Sequence, residues 1–313
     1  MINTISKHIK QVLTRFKEKD SLLFNNQLYT INKANFKEIN VKNEPKTMAF
    51  IDGGQAEILS AANFCLSFIR IAAVTFQNTK RVNFVKNEFY LFTTALYQET
   101  ELYYQSKIFS FAEALIEEND LFISSNDSSI KNGMERAPIT KVANIARRFA
   151  ELKLATQIKS DFIILDGTLE KTFNQEEKYL TLLPFNVSVL AKTSSLFTTL
   201  GNSPVVLLNK IGPQGCWCYF VNDTTAFVKL HSQARHIFRF EGNKEILPLL
   251  LENSSDALFL GYPYGLIFAD KVARVSDEEK QALRMKFLLC KENREIVDYL
   301  QATNAHSILD KFW

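Results

Sequence analysis

Two short apolar runs, each ending in Asp-Gly, constrain this chain more than any other feature: AFIDGG at 49–54 and IILDGT at 163–168. The second lies in DFIILDGTL, a continuous apolar run bounded by polar residues, which is how a strand buried on both faces reads. Strands come first and then alternate with helical segments, the pattern of a mixed α/β domain with one central sheet.

The first 45 residues read as a helix and a polar connector, and residues 46–313 as one domain. The N-terminal stretch MINTISKHIKQVLTRFKEKD is a basic amphipathic helix without the apolar centre of a signal peptide. TMAFIDGGQAEIL reads as a strand ending in a tight turn at Asp52-Gly53-Gly54. FCLSFIRIAAVTF and RVNFVKNEFYLFTTALY continue it as a meander, joined by a basic turn at Asn78-Thr79-Lys80-Arg81. Residues 110–119 and 138–158 carry helical spacing, the second with Pro138 at its start, where proline is tolerated. FNVSVLAKTSSL, CWCYFV, AFVKL and HIFRFEG are further strand candidates. ILPLLL and GYPYGLIFADKVARVS read as a strand or turn feeding a helix, and DEEKQALRMKFLL and AHSILDKF as terminal helices.

The bulk numbers exclude little. The chain has 313 residues and a net charge of +3, which permits nucleic-acid binding without arguing for it. Cys216-x-Cys218 lacks zinc spacing and has no second Cys or His pair beside it. Four scattered cysteines fit a reducing cytoplasm. The longest apolar stretch, Ile58 to Phe76, is broken by Asn63 and Arg70 and does not read as membrane-spanning.

The chemistry lies in the carboxylates. Phosphodiester cleavage by a metal ion needs hard oxygen ligands on a rigid frame, and an Asp closing a buried strand is so held. Two such strands side by side bring two like charges together, which a divalent cation neutralises. Asp-Gly is equally a common turn signal, and either pair alone is more often a turn than a ligand. Within IARRFAELKLA, Glu151 shares a stripe with Leu154, Ala155 and Ile158, so it is partly buried. Arg147 and Arg148 stand four and three residues before it, and from the helix alone a solvated ion pair with them comes ahead of a metal ligand.

In this order, FIDGG, RRFAELKLA, IILDGTL, LAKTSSL, GYPYGLIFADKVARVS and NAHSILDKF resemble the NurA nucleases, the prokaryotic partners of the HerA-type hexameric ATPase. The six segments span about residues 49 to 312. The resemblance implies an RNase H-like core with a central mixed sheet flanked by helices, a homodimer, and cleavage of DNA with manganese, or magnesium, in end resection and recombinational repair. It assigns Asp52 and Asp166 as metal ligands and Glu151 as the third carboxylate, with Glu135 and Glu113 as alternatives. His306 matches the near-terminal His, a metal ligand or proton carrier, or else a structural residue of the last helix. Lys192, in AKTS, is either a phosphate contact or an exposed strand-end lysine. Tyr262 and Asp270 fall in the YPYGLIFAD segment, with Asp270 orienting a ligand or capping a helix. Lys80, Arg81, Lys86, Lys192 and Lys210 are candidates for a DNA groove, with Tyr90 and Phe173 for stacking on bases. A non-cleaving scaffold that binds HerA and DNA, another RNase H-like nuclease such as an Argonaute, and a carboxylate phosphatase are the competing readings.

Overall fold

A computed structural model describes residues 1–13, 20–42 and 44–303. The chain begins with α1 (Ile2–Leu13) and a hairpin of β1 (Ser21–Phe24) and β2 (Gln27–Thr30). Asn25 and Asn26 turn that hairpin, both at positive φ (49° and 59°), the backbone twist that two-residue hairpin turns require and that Asn tolerates. β3 is Phe36–Glu38. A meander of long antiparallel strands follows: β4 (Thr47–Ala61), β5 (Phe64–Gln77), β6 (Lys80–Gln98), β7 (Glu101–Ser110) and the short β8 (Ile123–Ser124). Helices and strands then alternate through α2 (Val142–Gln157), β9 (Phe162–Asp166), α3 (Glu176–Leu180), β10 (Val187–Ala191) and α4 (Pro204–Ile211). The last strands are β11 (Trp217–Phe220), β12 (Thr225–Lys229) and β13 (Phe238–Glu241). Four helices close the described chain: α5 (Leu247–Asn253), α6 (Tyr264–Ala273), α7 (Asp277–Leu288) and α8 (Arg294–Thr303). The fold is mixed α/β, with a large central mixed sheet flanked by helices.

Two compact units interleave in the sequence. One unit is Met1–Pro45, Asp166–Thr168 and Ser188–Tyr264. Its strands run in the order β3-β11-β12-β13-β10, antiparallel throughout. Leu22, Phe24, Leu207, Leu208, Trp217 and Phe227 form its core. The other unit is Lys46–Leu165, Leu169–Val187 and Gly265–Trp313. Its strands run β9-β4-β5-β6-β7-β8, with β9 parallel to β4 and the remaining pairs antiparallel. α2 covers β4 and β5, burying Val142, Ile145, Ala146, Phe149 and Leu152. Residues 162–165 are buried on both faces, as the apolar run requires.

Four expectations are corrected. The polar connector contains the β1–β2 hairpin and β3. The spacing at 110–119 does not give a helix: the segment is irregular, with one 3₁₀ turn at Glu118–Leu121, and it buries Leu115 and Ile116 by tertiary packing, which overrides local pattern. The Ile246–Leu251 run, short and continuously apolar, is α5 with proline in its first turn rather than a strand, an ambiguity periodicity cannot resolve. No turn occurs at Asp52-Gly53-Gly54, where β4 runs on for 15 residues in all.

Candidate active site

β4 explains its glycines by what lies on its two faces. A Cβ on Gly53 would fall 2.5 Å from Glu151 Oε1 and 2.8 Å from both Arg147 Cγ and Ile71 Cδ1. On the next residue, Gly54, a Cβ would fall 2.1 Å from the carbonyl oxygen of Ala273. Successive strand residues face opposite sides, so α2 approaches one face and the end of α6 the other. The glycines are there for close packing. Asp52, just before them, is only 8% exposed, and its Oδ1 accepts the Gly53 amide at 2.7 Å.

Glu151 reaches the same stretch of β4 from α2 and is 5% exposed. Arg147, one turn earlier, donates from Nη1 to Glu151 Oε1 and to the Gly53 carbonyl, each at 3.0 Å. Arg148 serves a different carboxylate. Its Nε donates to Glu176 Oε1 at 2.8 Å, and the fully buried Glu176 also accepts the amides of Thr172 and Phe173. Neighbouring residues on a helix point about 100° apart at 3.6 residues per turn, which lets Arg147 turn to β4 while Arg148 reaches Glu176.

β9 delivers the second aspartate. In its parallel register Ile51 stands opposite Leu165, and the next residue on each strand is Asp52 or Asp166. Here the glycine does turn the chain: Gly167 has φ 113°, and its amide donates to Leu190 O at 3.3 Å. Asp166 Oδ2 lies 2.7 Å from Lys192 Nζ, just past β10. That ammonium lies 5.2 Å from the centroid of the Tyr262 ring, which packs against Phe238. The unit holding them thus groups Asp166, Lys192 and Tyr262. In the other unit Arg147 and Glu151 meet β4 at Gly53, and Asp52, one residue earlier, faces the opposite side of the strand.

Several candidates stand elsewhere. Asp270 pairs with Arg274 at 2.7 Å across one helical turn at the surface, its capping-or-surface reading. Glu113 and Glu135 are exposed, which leaves Glu151 as the buried carboxylate of the three. His306 lies outside the described residues. Lys80, Arg81 and Lys86 are exposed on β6, with Arg81 over Phe268 and Lys86 paired to Glu88, and Lys210 is exposed in the last turn of α4. The Tyr90 ring is engaged by Phe68, Phe111 and Phe287. It lines an apolar cavity of about 800 Å³ with Phe64, Phe92 and Tyr299, which no candidate carboxylate enters. Phe173 is half-buried against Phe149. Arg147 as a strap between helix and strand, and the ring of Tyr262 beneath Lys192, went unread; the i−4 position of Arg147 was the available signal.

The donor set of Asp52, Glu151 and Asp166 is carboxylate oxygen alone, which suits a hard divalent cation. Among the described residues, no three His, Cys, Asp or Glu side chains form a ready-made metal-holding group. Glu151 and Asp166 are instead matched by Arg147 and Lys192. The cysteines are free, and burial pushes the Cys218 thiol up to about 11, away from the thiolate a metal would need. Among the described residues no helix is long and apolar enough to cross a membrane.

No protein-family model and no curated protein matches the sequence. Among solved structures, the NurA nuclease from Sulfolobus solfataricus superposes with a TM-score of 0.53 at 14% identity, over 94% of this chain and 95% of that one. Endonuclease V from Ciona intestinalis, solved with an inosine-containing DNA, gives 0.40 at 11% identity over 73% and 84%. Argonaute from Marinitoga piezophila gives 0.33 at 14% identity over 74% and 30%. Over nearly its whole length, this chain has the fold of a NurA nuclease.

Proposed function

We propose that the protein is a metal-dependent deoxyribonuclease of the NurA type. The observation that carries this reading is the parallel pairing of β4 and β9, which puts an aspartate one residue past the matched pair Ile51 and Leu165 on each strand, within a NurA-like fold. Asp52 and Asp166, with Glu151, are the residues to hold manganese or magnesium. A bound ion supplies an activated water and neutralises charge on the phosphate. The chain's own groups do the rest. Strands β4 and β9 fix the two aspartates without loop freedom. The Lys192 ammonium, half exposed beside Asp166, turns to a phosphate oxygen as a point charge. Tyr262 limits where that ammonium can swing. The segment resemblance adds His306 as a proton carrier, a HerA-type ATPase hexamer as partner, homodimerisation, a role in end resection and a cytoplasmic setting.

A second reading has a specific observation in its favour. The ion pairs Arg147–Glu151 and Lys192–Asp166 satisfy two of the carboxylates without a metal, as a non-cleaving DNA-binding scaffold would have it. A substrate panel separates the two: single-stranded and blunt duplex DNA with manganese, magnesium or chelator, each with and without a HerA-type ATPase. Cleavage that manganese supports and chelator stops favours the nuclease. DNA retention without cleavage under every condition favours the scaffold.

A further inference from the structure

A second cavity, of about 230 Å³, lies in the unit built on the long meander, and none of Asp52, Glu151 and Asp166 lines it. It is bounded by β7, residues 120–127, α2 and the loop before α3. Four rings form much of its wall. Tyr103 and Phe122 stack in parallel, with centroids 5.0 Å apart and planes 2° apart, and Phe149 meets Phe173 edge-on at 6.3 Å. The part of the wall that carries Phe173 is firmly held, because the fully buried Glu176 accepts the Thr172 and Phe173 amides and pairs with Arg148. Phe122, Asn174 and Gln175 are exposed, so the cavity opens to solvent.

Two carboxylates complete the lining, and their surroundings differ. Asp120 is balanced by the Lys178 ammonium at 3.0 Å and also accepts the Tyr179 hydroxyl at 2.5 Å. Asp127 has neutral partners only. Its Oδ1 accepts the Ser129 amide at 2.8 Å and the Ser129 hydroxyl at 2.6 Å, and its Oδ2 accepts Asn174 Nδ2. Among the described residues no cation pairs with Asp127, although it is half-buried. A carboxylate offers about four lone-pair sites, so Asp127 has room for a further donor. A partly desolvated anion beside the negative faces of aromatic rings calls for a cation. The guanidinium matches best: it is flat enough to stack on a ring and forked toward a carboxylate, as an ammonium is not. A nucleotide would bring a phosphate that Asp127 repels. The cavity is also smaller than the roughly 300 Å³ and more of sites for drug-sized ligands, and suits one side-chain head. We propose that it is a recognition pocket for an arginine side chain presented by a protein partner. The guanidinium stacks on the ring wall and donates to Asp127. This site stands apart from the nuclease reading and does not depend on it.

The test is a saturation-transfer NMR titration of the full chain with acetyl-Gly-Arg-Gly-amide, whose one charge is the guanidinium. Its lysine and citrulline counterparts and dAMP are titrated alongside. The arginine peptide is expected to bind saturably in the millimolar range. The citrulline peptide, which keeps the shape and loses the charge, is expected to bind about tenfold more weakly, with the lysine peptide between them. Phe122→Ala removes one ring, and Asp127→Asn removes the charge while keeping an acceptor for Ser129. Each is expected to weaken arginine binding about fivefold at unchanged melting temperature. Phe122 is 39% exposed, so Phe122→Ala carries the test if Asp127→Asn does not fold. Lack of saturable binding, citrulline or lysine binding as tight as arginine, or arginine binding that survives Phe122→Ala overturns the proposal. Binding of dAMP in preference to the arginine peptide, lost in Phe122→Ala, overturns it in favour of a nucleobase pocket.

Discussion

Gly54 sits where β4 runs beneath the end of α6, with the Ala273 carbonyl oxygen 2.1 Å from where a Cβ would be. Backbone on both sides leaves little room to give. Gly54→Ala is expected to destabilise the fold by about 3 kcal/mol, measured by denaturant unfolding; a loss under about 0.5 kcal/mol would show that the helix is free to shift. Gly265, whose Cβ would meet the Phe50 ring at 2.1 Å, belongs to the same class. Asp20 is a second residue-scale case. Burial works to raise its pKa, but hydrogen bonds from Thr198, Asn202, Thr199 and the Ser21 amide outweigh it and hold the carboxyl below its ordinary 3.8. The sign follows from that direction: the ionised form is favoured by folding, so its contribution is present above the unfolded value and lost as pH falls through the folded one. Asp20→Asn is expected to cost about 2 kcal/mol at neutral pH, and the gap between variant and wild type should narrow in acid. A gap that is flat with pH would contradict the assignment. At this scale the sequence was legible in type but not in purpose. Asp52-Gly53 and Asp166-Gly167 look alike, yet one glycine admits a helix and the other turns the chain at φ 113°. Nothing local distinguishes them, because the deciding neighbours Glu151, Arg147 and Ala273 are distant in sequence.

Among the elements, α2 joins two charge systems. Its Arg147 faces β4, and its Arg148 faces Glu176, which is fully buried and also holds the amides of Thr172 and Phe173. The Arg148–Glu176 pair pins the segment that follows β9. Arg148→Met leaves a buried carboxylate without that cation and is expected to cost about 3–5 kcal/mol, read as a drop in melting temperature, with increased proteolysis around residues 168–175. A variant as stable as wild type would mean that the two backbone amides suffice. α2 itself was readable from its 3.6-residue spacing, and β9 from its unbroken apolar run. β7 and the β1–β2 hairpin were not. Tyr103 and Gln105 alternate with residues of mixed polarity in β7, whose exposed face is not cleanly polar, and the Asn25-Asn26 turn lacks the glycine that usually marks such hairpins.

At the scale of the whole molecule, the alternation of strands and helices sufficed for a mixed α/β fold, and six ordered segments for its likeness to NurA, which the superposition over 94% of the chain bears out at the level of fold. The interleaving of two units was beyond sequence reading. Residues 166–168 and 188–264 join the first 45 through strand pairing and core packing such as Leu22 with Trp217, and contacts between segments so far apart leave no local trace. The central claim is that Asp52 and Asp166 carry metal-dependent DNA cleavage. Its most direct measurement is the rate of Mn²⁺-dependent cleavage of single-stranded DNA by the wild type, Asp52→Asn and Asp166→Asn, with melting temperature as the control for folding. Wild type is expected to cleave in Mn²⁺ and stop in chelator, with each variant slower by at least about 100-fold at unchanged stability. Cleavage by Asp52→Asn at the wild-type rate would contradict the account.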